Sequence, residues 1–428
     1  MIRSKTHTLV IGAGPAGLTA AYQLSKAGSA VTVLEADPRY VGGISRTVEH
    51  HGYLFDIGGH RFYSQSKEVE SLWTEILPDD MITRPRLSRI YYDRKFFAYP
   101  LRPIEALKGL GVIEAARIIT SYGKARWAPI AAPRSFEEWV TNQFGKRLFE
   151  IFFKSYTEKV WGMKCTEISA DWAAQRIQRL SLGNAIIHAL KPTPASRVGG
   201  VHKTLINAFR YPRRGPGMMW DACTTKIRAL GGKVILGARV VGAAWREDSR
   251  TWRVEVERED GKREYFEGTD LVSSAPMRTL ASALTPALPA PIVETANKLR
   301  YRDFLTVALM TRGARDFDDQ WIYIHEPDVL VGRIQNFKSW SPEMVPDPKT
   351  NCFGLEYFCN EGDGLWSSSD EDLIARAKRE IAQLGLIKES QVIDACVVRQ
   401  HKAYPVYDAD YQTVVEKLRV ALEERFPT

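Results

Sequence analysis

A glycine-rich turn between two apolar runs constrains this chain more than any other stretch. In Thr8–Thr47 (TLVIGAGPAGLTAAYQLSKAGSAVTVLEADPRYVGGISRT) the run Thr8–Ile11 predicts a buried strand, and Gly12, Gly14 and Gly17 follow it in the pattern GxGxxG. Gly17, Ala20, Ala21 and Leu24 then recur at the spacing of one helix face, with Gly28 as the stop. A second buried strand, Ala30–Leu34, ends in Glu35. Strand, turn, helix, strand and acidic terminus together are the βαβ fingerprint of a dinucleotide-binding fold. Each residue has a mechanical reason. Gly12 permits the tight turn, Gly14 lets the backbone approach a pyrophosphate, and Gly17 lets the helix sit close to the sheet. Pro15 and Ala16 open the helix, whose free N–H groups and positive dipole end face the phosphates. Glu35, followed by Ala36, can accept hydrogen bonds from a ribose diol, which argues against a 2′-phosphate. A second glycine turn, Gly42-Gly43-Ile44-Ser45-Arg46, offers another backbone approach to a long, extended cofactor, so FAD is preferred over NAD. Arg46 is expected to meet the pyrophosphate or the flavin end.

Composition narrows the function classes. With 428 residues, two domains or one domain with a large insertion are expected, and 44% apolar and 11% aromatic residues supply a core. No apolar run approaches the length of a membrane span. The first strand begins too early to leave room for a signal peptide, so a cytoplasmic location is expected. The five cysteines are scattered without CxxC spacing and read as reduced, buried thiols. The eight histidines show no ligand spacing, so no metal site is expected. A net charge of +8 over this length suits an anionic small substrate, and no basic runs or RNP-like aromatic motifs point to nucleic acid.

Along the chain, Val48–His60 predicts a hairpin leading to Asp56-Ile57-Gly58-Gly59-His60, where the glycine pair places backbone close to something flat. Ser66–Leu77 predicts a helix, and Ile90–Ala98 a short hairpin turning at Asp93-Arg94. A helical block follows: Pro103–Leu110, Val112–Trp127, Phe136–Tyr156 with a Ser135/Glu138 capping box and a break at Gly145, and Ala170–Leu180. Tyr156 and Trp161 are placed at or past a helix end, where their rings could stack on a nucleobase for about 1–3 kcal/mol. Lys191–Gly200 reads as a loop. Val234–Leu236, Arg239–Trp245, Trp252–Glu257 and Glu264–Glu267 read as antiparallel strands, and Leu271–Pro276 (LVSSAP) as a buried strand. Phe304–Met310, Trp321–His325, Leu330–Gln335 and Phe353–Cys359 form a late β-rich segment. There Arg333 sits on an otherwise apolar strand, which demands an anion to offset desolvation. Ser369–Gly385 predicts a helix, Val392–Val398 a strand, His401–Asp408 a loop and Tyr411–Phe426 a final helix.

The fingerprint, the second glycine turn, Asp56–His60, SSAP and the late β-rich segment resemble the FAD-dependent amine oxidase and protoporphyrinogen oxidase superfamily. Within it, Lys146–Glu167 (KRLFEIFFKSYTEKVWGMKCTE) resembles the signature of UDP-galactopyranose mutases, with support from Gly59–Tyr63, Arg333-Ile334, Phe337-Lys338 and Tyr404–Val406. The fold this implies is α/β: a discontinuous Rossmann-like FAD domain (residues 1–85, 191–290 and 386–428), a helical insertion (86–190) and a six-stranded antiparallel substrate sheet (291–385). The resemblance also implies a late GRxG strand–helix element, and Thr428 falls where that strand would begin. The implied activity is that of a sugar-nucleotide mutase, in which the N5 of reduced flavin attacks the anomeric carbon of a nucleoside-diphosphate hexopyranose and the furanose is released. The substrate would be a nucleotide sugar, and a homodimer is left open.

The roles implied by the resemblance are specific. Phe152, Tyr156 and Trp161 would lie along the nucleotide and sugar, and Tyr404 would touch the substrate. Arg333 would clamp the diphosphate, each charge-assisted hydrogen bond contributing about 1.5–3 kcal/mol. A second diphosphate arginine maps onto Gln175 or Arg176, and Arg176 is assigned because it has the chemistry. His60 would lie beside the isoalloxazine. The cofactor set comprises Gly12, Gly14, Pro15, Ala16, Gly17, Glu35, Ala36, Gly43, Ile44, Ser45, Gly58, Gly59, His60 and Val240. The chain departs from the mutase pattern at Tyr63, where a second histidine is usual, and the Tyr92–Arg94 region, Trp172 and Arg179 match no assigned pattern. The alternative reading is an FAD-dependent oxidoreductase of the amine oxidase and protoporphyrinogen oxidase type.

Overall fold

The computed structural model describes residues 6–176, 208–314, 317–408 and 410–428. The loop 191–200 and the predicted end of the helix beyond Arg176 lie outside the described residues.

The fingerprint folds as its spacing predicts. His7–Ile11 and Ala30–Leu34 pair in parallel and flank the helix Pro15–Lys26. Asp270–Ser273 adds in parallel beside the first strand and Lys233–Ile235 beside the second. The strand at 233–235 is a correction. Its spacing predicts a place in the antiparallel set that follows it, but Thr32–Leu34 offers it a parallel register. Of that set, Arg239–Arg246, Thr251–Glu257 and Arg263–Gly268 are antiparallel, and Leu284–Thr285 closes their sheet. One face of the parallel sheet packs Val10, Val31 and Val33 against the helices Pro15–Lys26 and Gly217–Ala229. Leu9 and Leu34 meet Trp245 and Trp252 on the other.

The largest sheet has seven strands, in the order Val392–Pro405, Tyr301–Arg312, Thr350–Cys359, Arg333–Asn336, Trp321–Ile324, Ser88–Tyr92 and Lys95–Ala98. All neighbours are antiparallel except Trp321–Ile324 with Ser88–Tyr92. In place of the six-stranded sheet implied by the resemblance, five late strands are joined by the two strands of the early hairpin. The expected loop 401–408 is mostly strand to Pro405, because residues 392–405 pair almost throughout with Tyr301–Thr311. Helix Asp370–Gln383 buries Leu373, Ala377 and Ile381 against this sheet.

The helical block comprises Pro103–Leu110, Val112–Trp127, Phe136–Phe144, Lys146–Phe149, Ser155–Trp161 and Ala170–Arg176. Gly145, at φ +81°, makes the expected break. Helical winding resumes beyond it and runs through a π-type turn at Glu150–Lys154 to Trp161. Tyr156 therefore lies inside a helix, while Trp161 is its last residue, at the expected helix end.

Candidate functional site

Two glycine turns lie backbone to backbone at the carboxyl end of the first two strands. The Gly12 N–H donates to Leu34 O (2.8 Å), and the Gly42 N–H donates to Ala13 O (2.7 Å). A Cβ at Gly17 would run into the Gly12 carbonyl, and one at Gly43 would lie 3.3 Å from the Gly14 Cα. A side chain at Gly17 would force the helix away from the turn, and one at Gly43 would push the two turns apart. Pro15 and Ala16 form the first helical turn, and Ile44 and Ser45 lie in the single turn Gly43–Ser45. Ser45 Oγ accepts from Trp220 Nε1 (3.1 Å).

Glu35 is fixed by two backbone amides, Ala13 N–H (2.5 Å) and Asp37 N–H (2.9 Å). A carboxylate has about four acceptor positions, so two remain for a ribose diol. Ala36 is exposed beside it. Val240 is half-buried on the neighbouring strand, two residues after Ala238, whose N–H donates to Glu35 O (2.7 Å). Arg46 points back into the protein. Its Nη1 donates to Gly43 O (3.1 Å) and to Gln400 Oε1 (2.7 Å), so its placement is that of a brace for the second turn.

A cleft of about 710 Å³ opens beside these turns, bordered by Pro15, Ala16, Ser45, Gly59, His60 and Trp220. The buried Nδ1 of His60 has no hydrogen-bond partner. Burial, helped by Arg333, holds the His60 imidazole down at about 4, so it is neutral at physiological pH. A glycine cradle, a fixed acidic residue, a cleft and a neutral imidazole with one unpartnered nitrogen fit an FAD.

The Gly58 turn joins this cradle to a second centre. A Cβ on Gly58, at φ +89°, would lie 3.6 Å from His60 Cε1, 3.7 Å from Arg333 Nη2 and 3.9 Å from Glu356 Oε1. Arg333 and Glu356 face each other on adjacent strands and form an ion pair through Nε and Oε2. Gln335 Nε2 donates to the other Glu356 oxygen (2.7 Å). Burial is the largest single influence and opposes the charge on Arg333, but Glu356 together with Tyr156, Tyr404 and Tyr323 outweighs it and raises the guanidinium well above its usual range. The anion that the apolar strand demands is therefore present in the protein itself.

Tyr156 and Tyr404 both reach the field of Arg333, and Tyr404 hydrogen-bonds it. Tyr156 stacks on His325 (5.1 Å, 6°) and meets the edge of Tyr323 (5.3 Å), which lies 4.7 Å from Tyr99. Burial, with Lys159 adding to it, lowers His325 to about 3. The Lys159 ammonium donates to the carbonyls of Ile324 (3.4 Å), Glu326 (2.5 Å) and Val331 (3.4 Å), fixing the turn before Arg333.

The other two aromatic candidates are packing residues. Phe152 is buried against Phe97 (5.2 Å) and Tyr92 (6.0 Å), although it backs His325 at 6.4 Å. Trp161 is buried against Trp172 (5.2 Å) and Tyr407 (5.9 Å). Arg176 ends the helix Ala170–Arg176, and its side chain lies outside the described residues. Sequence reasoning passed over Glu356, Tyr323, His325 and Lys159. Glu356 carried the same signal as Arg333, a charge inside an apolar run (CFGLEYFC).

A profile for flavin-containing amine oxidoreductases matches residues 15–419. The curated "Probable UDP-galactopyranose mutase" of Klebsiella pneumoniae is 27% identical over 170 residues, 38% of this chain and 43% of that protein. Protoporphyrinogen oxidase 2 of Arabidopsis thaliana is 45% identical over 73 residues, 17% of this chain and 14% of that protein. These matches span less than half of each curated relative. The crystal structure of a reduced UDP-galactopyranose mutase superposes with a TM-score of 0.83 at 20% identity, over 98% of this chain and 88% of that one. Its likeness bears on the fold, and it agrees with the α/β architecture described above. The match of the profile to nearly the whole chain, with both glycine turns in place, establishes that the chain belongs to the flavin-containing amine oxidoreductase family, with FAD as its cofactor.

Proposed function

We propose that this protein is a flavoenzyme of the sugar-nucleotide mutase kind, converting a nucleoside-diphosphate hexopyranose to its furanose. The observation that carries this reading is the meeting of Arg333, Tyr156 and Tyr404 beside the Gly58–His60 turn of the flavin cradle. The curated mutase relative supports it. Reduced FAD, when bound, would supply the nucleophile. The two glycine turns and Glu35 would hold the cofactor, and the neutral His60 would offer it a nitrogen without adding charge.

Arg333 supplies the cation for a diphosphate. Glu356 and Gln335 lock its direction, so little side-chain entropy is lost when an anion arrives. The same carboxylate cancels part of the attraction, which makes a second cation useful, and Arg176 is the residue proposed for it. Tyr404 and Tyr156 would orient the diphosphate and sugar through their hydroxyls. Their burial raises both phenols, so they act as neutral donors.

The test is to incubate FAD-loaded protein with UDP-galactopyranose and related nucleoside-diphosphate hexoses, with and without dithionite, and to separate the products. Furanose is expected from the reduced protein alone. Absence of turnover together with absence of nucleoside-diphosphate binding would remove the proposal.

The family match, with Tyr63 in place of the second histidine, favours one other reading, a hydride-removing oxidase. The neutral Arg333–Glu356 pair among Tyr99, Tyr156, Tyr323 and Tyr404 is compatible with a substrate that carries no phosphate. Anaerobic mixing with amines or porphyrinogens discriminates, because only an oxidase bleaches its oxidised flavin with substrate alone.

A further inference from the structure

A cluster of nitrogen and oxygen donors lies away from the flavin cradle, at the tip of the hairpin Thr47–His50/Tyr53–Asp56. His50 ends the first strand, and His51 follows in the left-handed region at φ +49°. Neighbouring residues on a regular strand point to opposite faces. The left-handed turn at His51 breaks that alternation, and the two rings lie side by side with centroids 4.1 Å apart. Both address one carboxylate oxygen from 343 or more residues away: His50 Nε2 lies 3.1 Å and His51 Nδ1 2.7 Å from Asp394 Oδ2. The other Asp394 oxygen accepts the Ala395 N–H (2.8 Å), which fixes the plane of the carboxylate.

We propose that His50, His51 and Asp394 bind one divalent cation of the Zn²⁺, Ni²⁺ or Cu²⁺ class. The three donor atoms lie within 4.8 Å of one another. A tetrahedral cation with bonds of about 2.1 Å needs its ligand atoms about 3.4 Å apart, so Asp394 Oδ2 must draw off by about 0.7 Å from His51 Nδ1 and about 0.3 Å from His50 Nε2 to open the site. Two imidazoles and one carboxylate suit these borderline cations and not Mg²⁺ or Ca²⁺, which prefer oxygen. In the metal-bound form each neutral imidazole coordinates through the nitrogen that now faces Asp394 and carries its one N–H on the opposite ring nitrogen. His51 is largely exposed, which gives the cation a path in and leaves a coordination position for water.

The consequence is mechanical. Asp394 sits on the edge strand Val392–Pro405 of the seven-stranded sheet, while the hairpin runs directly into Gly58-Gly59-His60. The cation would clamp the hairpin to that edge and stiffen the segment that leads to the flavin turn.

The test uses untagged, chelator-treated protein titrated with ZnCl₂ by calorimetry, and with CoCl₂ for its visible spectrum. The expected result is one equivalent bound per chain, a tetrahedral Co²⁺ spectrum, and affinity weakened by about tenfold or more in His51→Ala and in Asp394→Asn. The exposed position of His51 makes His51→Ala a safe variant for folding, and circular dichroism checks both. A Zn²⁺-dependent rise in melting temperature is expected in the wild type and lost in His51→Ala. No binding, or binding that both variants retain unchanged, would overturn the proposal and leave the cluster as a hydrogen-bonded ion pair.

Discussion

At the scale of single residues, the buried Arg333–Glu356 pair is a weak source of net stability. Replacing such a pair with apolar side chains is often neutral, whereas removing one partner strands a charge. Glu356→Ala is therefore expected to cost about 3–5 kcal/mol in urea unfolding. The double variant Arg333→Met/Glu356→Leu should regain most of that stability while losing nucleoside-diphosphate binding.

Asp56 makes a second residue-scale prediction. It is fully buried, accepting from Tyr211 (2.5 Å) and Thr47 (3.0 Å). Burial pushes its carboxyl up to about 8, against the pull of those two hydrogen bonds. In the unfolded chain it ionises near 3.8. Between these values the unfolded state has released a proton that the folded state keeps, so stability falls as pH rises through the window. The buried His60 and His325 act in the opposite sense, but their contribution is already complete above about pH 6.5. Unfolding free energies measured between about pH 6.5 and 8 should decline in the wild type and stay flatter in Asp56→Asn.

At the scale of elements, the glycine turn and the capping box behave differently when altered. Gly17→Ala places a methyl group against the Gly12 carbonyl, forcing helix and turn apart. The variant should purify with little or no FAD, read from the flavin absorbance of the folded fraction. Ser135 and Glu138 exchange hydrogen bonds at the start of Phe136–Phe144, at 3.2 and 3.3 Å. Ser135→Ala removes one of them and should destabilise the protein by about 1 kcal/mol without affecting the flavin spectrum. Element positions were largely legible beforehand because each carries a local period or cap. The exceptions were decided by distant partners. Residues 401–405 look like a loop until Tyr301 and Arg302 pair with them. Residues 233–235 are too short for their pairing sense to be read without the strand beside them.

At the scale of the molecule, the segment that leaves the hairpin Thr47–His50/Tyr53–Asp56 meets the seven-stranded sheet where Gly58 lies beside Arg333 and Glu356. A cofactor seated there binds only the assembled arrangement. Free FAD at about 100 times its Kd should raise the unfolding free energy by about 2.7 kcal/mol, checked by melting in the presence and absence of FAD. Among the described residues no helix is long and apolar enough to cross a membrane.

The sequence by itself determined the dinucleotide turn, the preference for FAD and the α/β class, because those depend on spacings within some forty residues. It also marked Arg333, since a guanidinium in an apolar run is costly wherever the strand goes. It did not determine what neutralises that guanidinium. Glu356 is assigned to it by strand pairing, an interaction between segments whose register no local pattern encodes. Nor did it separate Tyr156, which reaches the field of Arg333, from the buried Phe152 and Trp161, because the neighbours that set these surroundings come from distant segments. The same reason explains the histidines. His50 and His51 have no ligand spacing in the chain, and Asp394 joins them only when an edge strand folds back against the hairpin tip.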